Sequence, residues 1–388
     1  MSSIRPDSSL RIVLQFDKGS GYARGIVAGV SHFARAGRLD WRLTVATAAE
    51  VRARNIEADA WIVDFDDDEA RARLLQGTEA VVAVASSRSA EANCPPHVPL
   101  VMSDNAAMVN MARAHLQDRG VPALAFFSKG KYAGLSWAQE REQAFRAIPG
   151  VEEANILGSQ RMLNAGDDAL RNWLRGLPRP CGVIAVNDSS AQDLLHECAA
   201  AGVSVPDELA VVGIDNDELV ASLARVEISS VVQDTGRVGR VAAQMLHARL
   251  QRSVLPDYRV TVPPAHLSIK ASSMYQEGVN PIVTRARAFI LQFAAHGIKS
   301  DQVAHHVNVS RSSIERIFSR ECGCSVHDEI LRVRLDMAKQ LLRSGKLSAS
   351  EIAVRSGFRT LQYMHVVFKR ELGCTPGEFQ SGQARQTV

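Results

Sequence analysis

The sequence predicts a two-lobed α/β unit of doubly wound parallel sheets, followed by an all-α domain with two helix-turn-helix motifs. Three observations carry that expectation. Short apolar strands alternate with amphipathic helices from Leu10 to about Ser273, the strand signal then stops, and the helical tail beyond it repeats itself.

Ile12–Phe16, Ala60–Val63, Ala80–Ala85, Ala123–Phe127, Gly182–Val186 and Leu209–Ile214 are rich in Val, Ile, Phe and Ala without alternation. Strands buried on both faces of a parallel sheet look like this. Helices fall between them. Ile26, Val30 and Phe33 repeat at helical spacing in the first, and another runs from Asn105 to about Arg119. Repeated strand–helix units imply an open sheet with helices on both faces. The length is generous for one such sheet and comfortable for two, hence two lobes over residues 8–274. Tyr275-Gln276-Glu277-Gly278-Val279-Asn280-Pro281 is polar and holds both Gly and Pro, so 275–282 reads as a linker and 283–388 as the helical domain.

The 388 residues are 46% hydrophobic and 22% charged, the balance of a soluble globular chain long enough for two or three cores. Met1–Ser9 lacks the basic start and apolar stretch of a secretory leader. No apolar run approaches the ~18 residues of a membrane span. The expectation is a cytoplasmic protein with no membrane partner. Six cysteines are scattered, and Cys322-x-Cys324 has neither zinc-knuckle spacing nor a second ligand pair. Free thiols, no metal and no cofactor are expected. Charge is uneven: residues 281–388 hold 16 Lys+Arg against 9 Asp+Glu, while 1–280 hold 29 against 33. A tail at +7 behind a front at −4 suggests a polyanionic partner for the tail.

Within the tail, Arg320-Glu321-Cys322-Gly323-Cys324-Ser325 recurs fifty residues on as Arg370-Glu371-Leu372-Gly373-Cys374-Thr375, with Phe318 mapping onto Phe368. Upstream, Val303-Ala304 maps onto Ile352-Ala353 and Val309 onto Phe358 at an offset of 49. This is a duplicated supersecondary unit. In the second copy Ser348-Ala349-Ser350-Glu351 is a capping box, Gly357 suits a left-handed turn, Phe358 plugs the core, and a helix runs from about Thr360 to Leu372. In the first, Asn308 takes the turn and Ser310 caps a helix to about Arg320. Thr375-Pro376-Gly377-Glu378 opens a last short helix. Leu331, Leu335, Ala338 and Leu342 form one apolar stripe on a helix joining the copies.

Residues 283–380 resemble the DNA-binding domain of the AraC family, above all along Ile352-Ala353, Gly357-Phe358, Phe368-Lys369-Arg370 and Gly373-Cys374-Thr375-Pro376-Gly377-Glu378-Phe379. The resemblance implies two recognition helices in successive major-groove segments of a double-stranded DNA operator. On that basis Arg311, Ser312, Glu315 and Arg316 form the first reading surface, and Leu361, Gln362 and His365 the second. Arg pairs with guanine, Gln with adenine, and Leu touches a thymine methyl. Lys369, Arg370 and Arg343 suit phosphates. Ile314, Ile317, Phe318, Val367 and Phe368 are expected in the core.

In the front half, polar residues follow the buried strands: Asp17 after Ile12–Phe16, Asp64 and Asp66 after Ala60–Val63, Ser86 and Ser87 after Ala80–Ala85, Asn187 and Asp188 after Gly182–Val186, Asp215 after Leu209–Ile214. Carboxyl ends of parallel strands are where α/β sheets hold ligands. Carboxylates and amides suit sugar hydroxyls, Tyr22 and Trp137 offer rings to stack on a sugar, and Arg141 lies one turn beyond Trp137 on the same helix face. Other readings stand beside these. Asp17 and Asp188 could cap the following helices, Asp66-Asp67-Asp68 could be a solvated loop, and Tyr22 could be packing.

Val211-Val212-Gly213-Ile214-Asp215-Asn216 and Ala185-Val186-Asn187-Asp188-Ser189-Ser190-Ala191 resemble motifs of LacI/GalR-type sensors, relatives of periplasmic sugar-binding proteins. The resemblance implies a two-lobed periplasmic-binding-protein-like sensor in which Asn187, Asp215 and Arg141 contact an inducer. Such sensors carry their helix-turn-helix at the N-terminus. Here the first strand starts by Arg11 and the reader lies at the other end.

That combination resembles a family of sugar-operon activators over almost the whole chain. The matching segments are Tyr22-x-Arg24 before Gly29-Val30, Asp64-Phe65-Asp66-Asp67, Asp104-Asn105, Trp137-Ala138-x-Glu140-Arg141-Glu142-x-Ala144-Phe145, Gly213-Ile214-Asp215-Asn216 and Ser229-Ser230-Val231. It implies D-xylose as effector, a homodimer and activation of xylose catabolic genes, with RNA polymerase as a further contact. The loop from Asp17 to Gly21 and Asn187 depart from the pattern, which leaves open another pentose, a sugar acid, or repression. A sugar-transport protein is disfavoured by the missing leader and the DNA-reading tail. An enzyme is disfavoured because no G-x-G-x-x-G follows the first strand, and no P-loop, nucleophile elbow or H-E-x-x-H is present.

Overall fold

The computed structural model describes residues 9–74, 80–165, 168–253, 257–275, 280–344 and 347–380. Its strands are β1 (Leu10–Gln15), β2 (Trp41–Ala46), β3 (Ala60–Asp64), β4 (Ala80–Ala85), β5 (Leu100–Ser103), β6 (Ala123–Phe127), β7 (Ile156–Leu157), β8 (Cys181–Ala185), β9 (Leu209–Ile214), β10 (Ser229–Val232), β11 (Arg259–Val262) and β12 (His266–Ser268). Its α-helices in the front half are α1 (Gly21–Ala36), α2 (Ala48–Ala53), α3 (Asp68–Leu74), α4 (Asn105–Asp118), α5 (Ser136–Arg146), α6 (Ser159–Ala165), α7 (Ala169–Gly176), α8 (Asp188–Ala201), α9 (Glu218–Leu223) and α10 (Thr235–Leu250). The tail holds α11 (Pro281–Phe293), α12 (Ser300–His306), α13 (Arg311–Cys322), α14 (Val326–Ser344), α15 (Ala349–Arg355), α16 (Leu361–Leu372) and α17 (Pro376–Gln380).

Two six-stranded sheets form two lobes. The first runs β11-β5-β4-β3-β1-β2, with every pairing parallel. The second runs β12-β10-β9-β8-β6-β7 and is parallel except for β12. Each sheet is sandwiched between two apolar clusters, one per face, as doubly wound sheets require. The chain crosses between lobes three times, from β5 into α4, from β10 into α10, and from β11 to β12.

All six strands expected from apolar runs are present, within two residues at either end. Those the sequence hid have physical reasons. β2 is an edge strand whose exposure alternates, so Arg42 and Thr44 break its apolar run. The others are two to four residues long, too short to show a pattern.

In the tail, α14 carries two apolar faces. Val326, Ile330 and Val333 enter one core with α11, α12 and α13, while Leu331, Leu335, Ala338 and Leu342 enter a second with α15 and α16. Arg334 is buried beside it and donates to the carbonyls of Ala294 and Ile298 at 2.9 and 3.0 Å, closing the end of the preceding helical segment. Each duplicated unit is thus half of one helical domain that shares a single long helix. Among the described residues no helix is long and apolar enough to cross a membrane.

Candidate ligand cleft and DNA-reading faces

Two adjoining cavities of about 1130 and 550 Å³ open between the lobes at the carboxyl ends of the strands. All nine residues that the sequence singled out for a ligand line them. Asp17, Tyr22, Asn187, Asp188 and Asp215 border the larger, and Tyr22, Asp64, Asp66, Trp137, Arg141 and Asp215 the smaller.

On the first lobe, Asp64 Oδ1 accepts the Asp66 N–H at 3.0 Å and Asp66 Oδ2 accepts the Ser86 N–H at 2.7 Å. The loop after β3 is therefore fastened to the end of β4. Burial, and after it the neighbouring Asp66 carboxylate, push Asp64 up to about 7. The Tyr22 hydroxyl donates to the Ala85 carbonyl at 3.1 Å and lies 3.4 Å from Ser103 Oγ, and burial raises its pKa. Its ring forms part of the cavity wall. Asp17 Oδ1 accepts the Gly19 N–H at 2.9 Å in a turn, and the cap of α1 is Ser20. The reading of Asp17 as that cap is corrected.

On the second lobe, Arg141 is 3% exposed. Its Nε donates to Asn105 Oδ1 at 2.9 Å, Nη1 donates to the Val186 carbonyl at 2.6 Å, and both Nη lie 3.5 Å from Asp215 Oδ1. The guanidinium sits 4.9 Å over the Trp137 ring, as their spacing on one helix face predicts. Burial lowers the Arg141 pKa against the pull of Asp215, and burial raises Asp215 against the pull of Arg141. Nη2 also donates to Met108 Sδ at 3.6 Å, so the two long contacts to Asp215 are the ones a ligand in the cavity would exchange.

Asn187, not Asp188, caps α8: its Oδ1 accepts the Ser190 N–H while its Nδ2 donates to the Tyr132 hydroxyl at 3.0 Å. Asp188 sits deeper. Its Oδ1 accepts the Ser230 hydroxyl at 2.6 Å and its Oδ2 the Asp217 N–H at 2.8 Å, so its carboxylate staples the loop after β9. Gly213 makes room for it, since a Cβ there would stand 2.1 Å from Asp188 Oδ1. Burial, and then Asp215, push Asp188 up to about 7.

Sequence reasoning missed Gln233, which borders both cavities just past the end of β10. Its Nε2 donates to Asp215 Oδ1 at 2.5 Å, and its buried Oε1 has no partner among the described residues. The available signal was position, because Gln233 follows its strand much as Asp215 follows β9. The four-residue β10 was too short to be recognised as a strand.

In the tail, each pair of helices turns through one left-handed residue, Asn308 at φ 56° and Gly357 at φ 80°. Only glycine fits the second, because a Cβ would come 2.3 Å from the Ala294 carbonyl oxygen. Ser310 and Thr360 cap α13 and α16. Ile314, Phe318, Val367 and Phe368 are buried, and Ile317 is half-buried. Arg311, Ser312 and Arg316 stand exposed on α13, and Gln362, His365, Lys369 and Arg370 on α16. Two residues assigned to the reading surfaces are placed otherwise. Glu315 turns back so that its carboxylate accepts the Val326 N–H at 3.1 Å, tying α13 to α14. Leu361 packs partly against the second core. Val366, 60% exposed between His365 and Lys369, also faces outward on α16.

A two-lobed sensor with a polar interlobe cleft, joined to a duplicated helix-turn-helix, defines a ligand-responsive transcription regulator. Comparisons narrow the class. The model of a periplasmic binding protein-like domain matches residues 113–273, a helix-turn-helix domain model matches 303–382, and the XylR N-terminal domain model matches 11–106. The chain is 35% identical over 379 residues to the xylose operon regulatory protein of Escherichia coli (strain K12), spanning 95% of this chain and 96% of that one. It is 33% identical over 380 residues to the same-named protein of Haemophilus influenzae, spanning 95% and 98%. A solved structure described as the xylose-binding transcription activator xylR matches with a TM-score of 0.70 at 34% identity, covering 98% of this chain and 100% of that one. A LacI family regulator from Enterococcus faecalis with bound ribose matches at 0.53 and 15% identity, a likeness of fold alone, over 69% of this chain and 99% of that one. The chain belongs to the family of xylose operon regulatory proteins.

Proposed function

We propose that this chain is a D-xylose-dependent activator of xylose catabolic genes, with residues 8–274 as sensor, 275–282 as linker and 283–388 as DNA reader. The observation that carries the reading is the cleft. Carboxylates from one lobe (Asp64 and Asp66) face a buried Arg141–Asp215 pair from the other, with the Tyr22 and Trp137 rings alongside. A pentose presents hydroxyls that both donate and accept, and a ring face that stacks. This donor–acceptor set suits it. The family relatives, by name xylose regulators, support the choice of sugar.

Sugar that bridges the lobes favours the closed arrangement to the extent that it binds that arrangement better. In a homodimer, closure alters the spacing of the two readers and so their fit to the operator. Arg311, Ser312, Arg316, Gln362, His365 and Val366 then meet base edges, while Lys369, Arg370 and Arg343 meet phosphates. Bound activator presents a surface to RNA polymerase.

A second reading has an observation of its own. A ribose operon repressor from Halalkalibacterium halodurans is 28% identical over 173 residues, 43% of this chain and 50% of that one. Thermal unfolding with D-xylose, D-ribose, L-arabinose and D-glucose separates the two. A true effector at 100 times its Kd adds about 2.7 kcal/mol of stability. A shift with D-xylose alone is the expected result. A shift with D-ribose and none with D-xylose keeps the architecture and replaces the sugar.

A further inference from the structure

Arg141 is held by Asn105, which is braced in turn by a residue outside the cleft. Glu140, the preceding residue on α5, lines neither cavity. Its carboxylate reaches the other lobe instead: Oε1 accepts the Ser89 N–H at 2.7 Å, in the turn after β4. Its Oε2 accepts Asn105 Nδ2 at 2.8 Å. Asn105 is 1% exposed at the first interlobe crossing. Its amide orientation is fixed because Oδ1 must accept from Arg141 Nε, so Nδ2 has to serve acceptors. It does so twice, to Glu140 and to the Ser86 carbonyl at 2.9 Å. A chain of hydrogen bonds therefore runs from Asp215 through Arg141 and Asn105 to Ser86, whose N–H binds Asp66. It links the cleft acids of the two lobes, with Glu140 bracing it from behind.

We propose that Glu140 is a positioning residue, an interlobe latch that holds Arg141 in its sugar-facing pose and favours the closed arrangement of the lobes. This rests on the reading of the cleft as the sugar site. Chemistry fixes the residue type. Both partners of Glu140 are donors on separate segments, so the latch needs two acceptors and no donor, which a carboxylate supplies and a glutamine does not. Opening the lobes separates Glu140 from Ser89 and Asn105 from Ser86, and leaves the buried Asn105 amide short of one acceptor, so the two contacts are lost together.

The test uses the full-length protein and D-xylose, with operator binding followed across a sugar titration. Glu140→Gln raises the D-xylose Kd about tenfold and moves the half-maximal sugar concentration by the same factor. Operator affinity at saturating sugar stays as in wild type. Ser89→Pro deletes the backbone donor, at an early position of a turn that accommodates proline, and produces a similar shift, whereas Ser89→Ala, which removes only the hydroxyl that meets Ser87 Oγ at 2.8 Å, does not. The double variant adds little further, because both changes break the same latch and its contacts are lost together. An unchanged Kd in Glu140→Gln, or additive shifts in the double variant, overturns the latch. Failure of wild type to bind D-xylose overturns the underlying sugar assignment instead.

Discussion

The two polar surfaces of this molecule are built on opposite plans. In the cleft, most of the polar side chains are already engaged with other protein groups: Asp188 with Ser230 and Asp217, Arg141 with Asn105 and Val186, Asp66 with Ser86. On the reading helices, Gln362, His365 and Lys369 project outward, and Arg311 pairs with the equally exposed Asp301 at 3.2 Å. The first surface is preorganised, so little entropy is lost when a small ligand arrives. The second leaves its side chains exposed to solvent, and its contribution to binding a polyanion is dominated by charge. Substitutions in the cleft should therefore act steeply and through their neighbours, whereas those on the reader should act singly and vary with salt.

The largest effect is expected in the cleft. Arg141→Met leaves Asp215 without its cation and Asn105 Oδ1 without a donor, and should raise the D-xylose Kd at least 100-fold, about 2.7 kcal/mol. Calorimetric titration checks it, and a loss under tenfold would break the contrast with the reader. Next is a backbone effect in the tail. Gly357→Ala places a Cβ against the Ala294 carbonyl in a left-handed turn and should cost about 2 kcal/mol or more in urea unfolding, whereas Asn308→Gly should change it by less than about 1 kcal/mol.

The third effect is on pH. Asp64 and Asp188 titrate near 7 when folded, well above the ordinary carboxylate value. Between about pH 4 and 7 these two groups keep protons in the folded chain that the unfolded one has lost, so their contribution to sugar-free stability should fall as pH rises through that window and level off above it, opposed in part by His115, which burial lowers to about 4. Sugar hydroxyls that donate to ionised Asp64 should make D-xylose affinity rise from pH 6 to 8, by at most about tenfold per unit. Titrations at four pH values read both trends, and a falling affinity would mean that the protonated acid binds the sugar.

On the reader, effects divide between phosphate and base contacts. Lys369→Ala should weaken operator binding about equally across sequences and reduce the slope of log affinity against log salt by about 1. Arg316→Ala should instead cost about 1–3 kcal/mol and relax preference at one base pair. Competition binding with single-base operator variants distinguishes them.

Much of this was legible in sequence because it depends on pattern. The strands at the centre of the sheets showed as unbroken apolar runs, and the repeat in the tail aligned its core residues, Phe318 with Phe368 and Ala304 with Ala353. The ligand residues were found by one rule, that polar groups after parallel strands face a cleft. The same rule missed Gln233 only because β10 is four residues long. What stayed hidden depends on which way a side chain turns. Spacing alone puts Glu315 and Leu361 on a reading face, yet Glu315 finds an unpaired N–H at the start of α14 and Leu361 finds the second core. The latch at Glu140 was equally invisible, since Ser89, Asn105 and Glu140 are brought together only by the packing of the two lobes.

The central claim is that sugar in the cleft governs DNA binding by the tail. Fluorescence anisotropy of a labelled xylose-gene promoter fragment, titrated with full-length protein with and without saturating D-xylose, tests it most directly. The account predicts at least tenfold tighter binding with D-xylose, no change with D-glucose, and affinity that falls steeply with salt in both states. Equal affinity with and without D-xylose would contradict it.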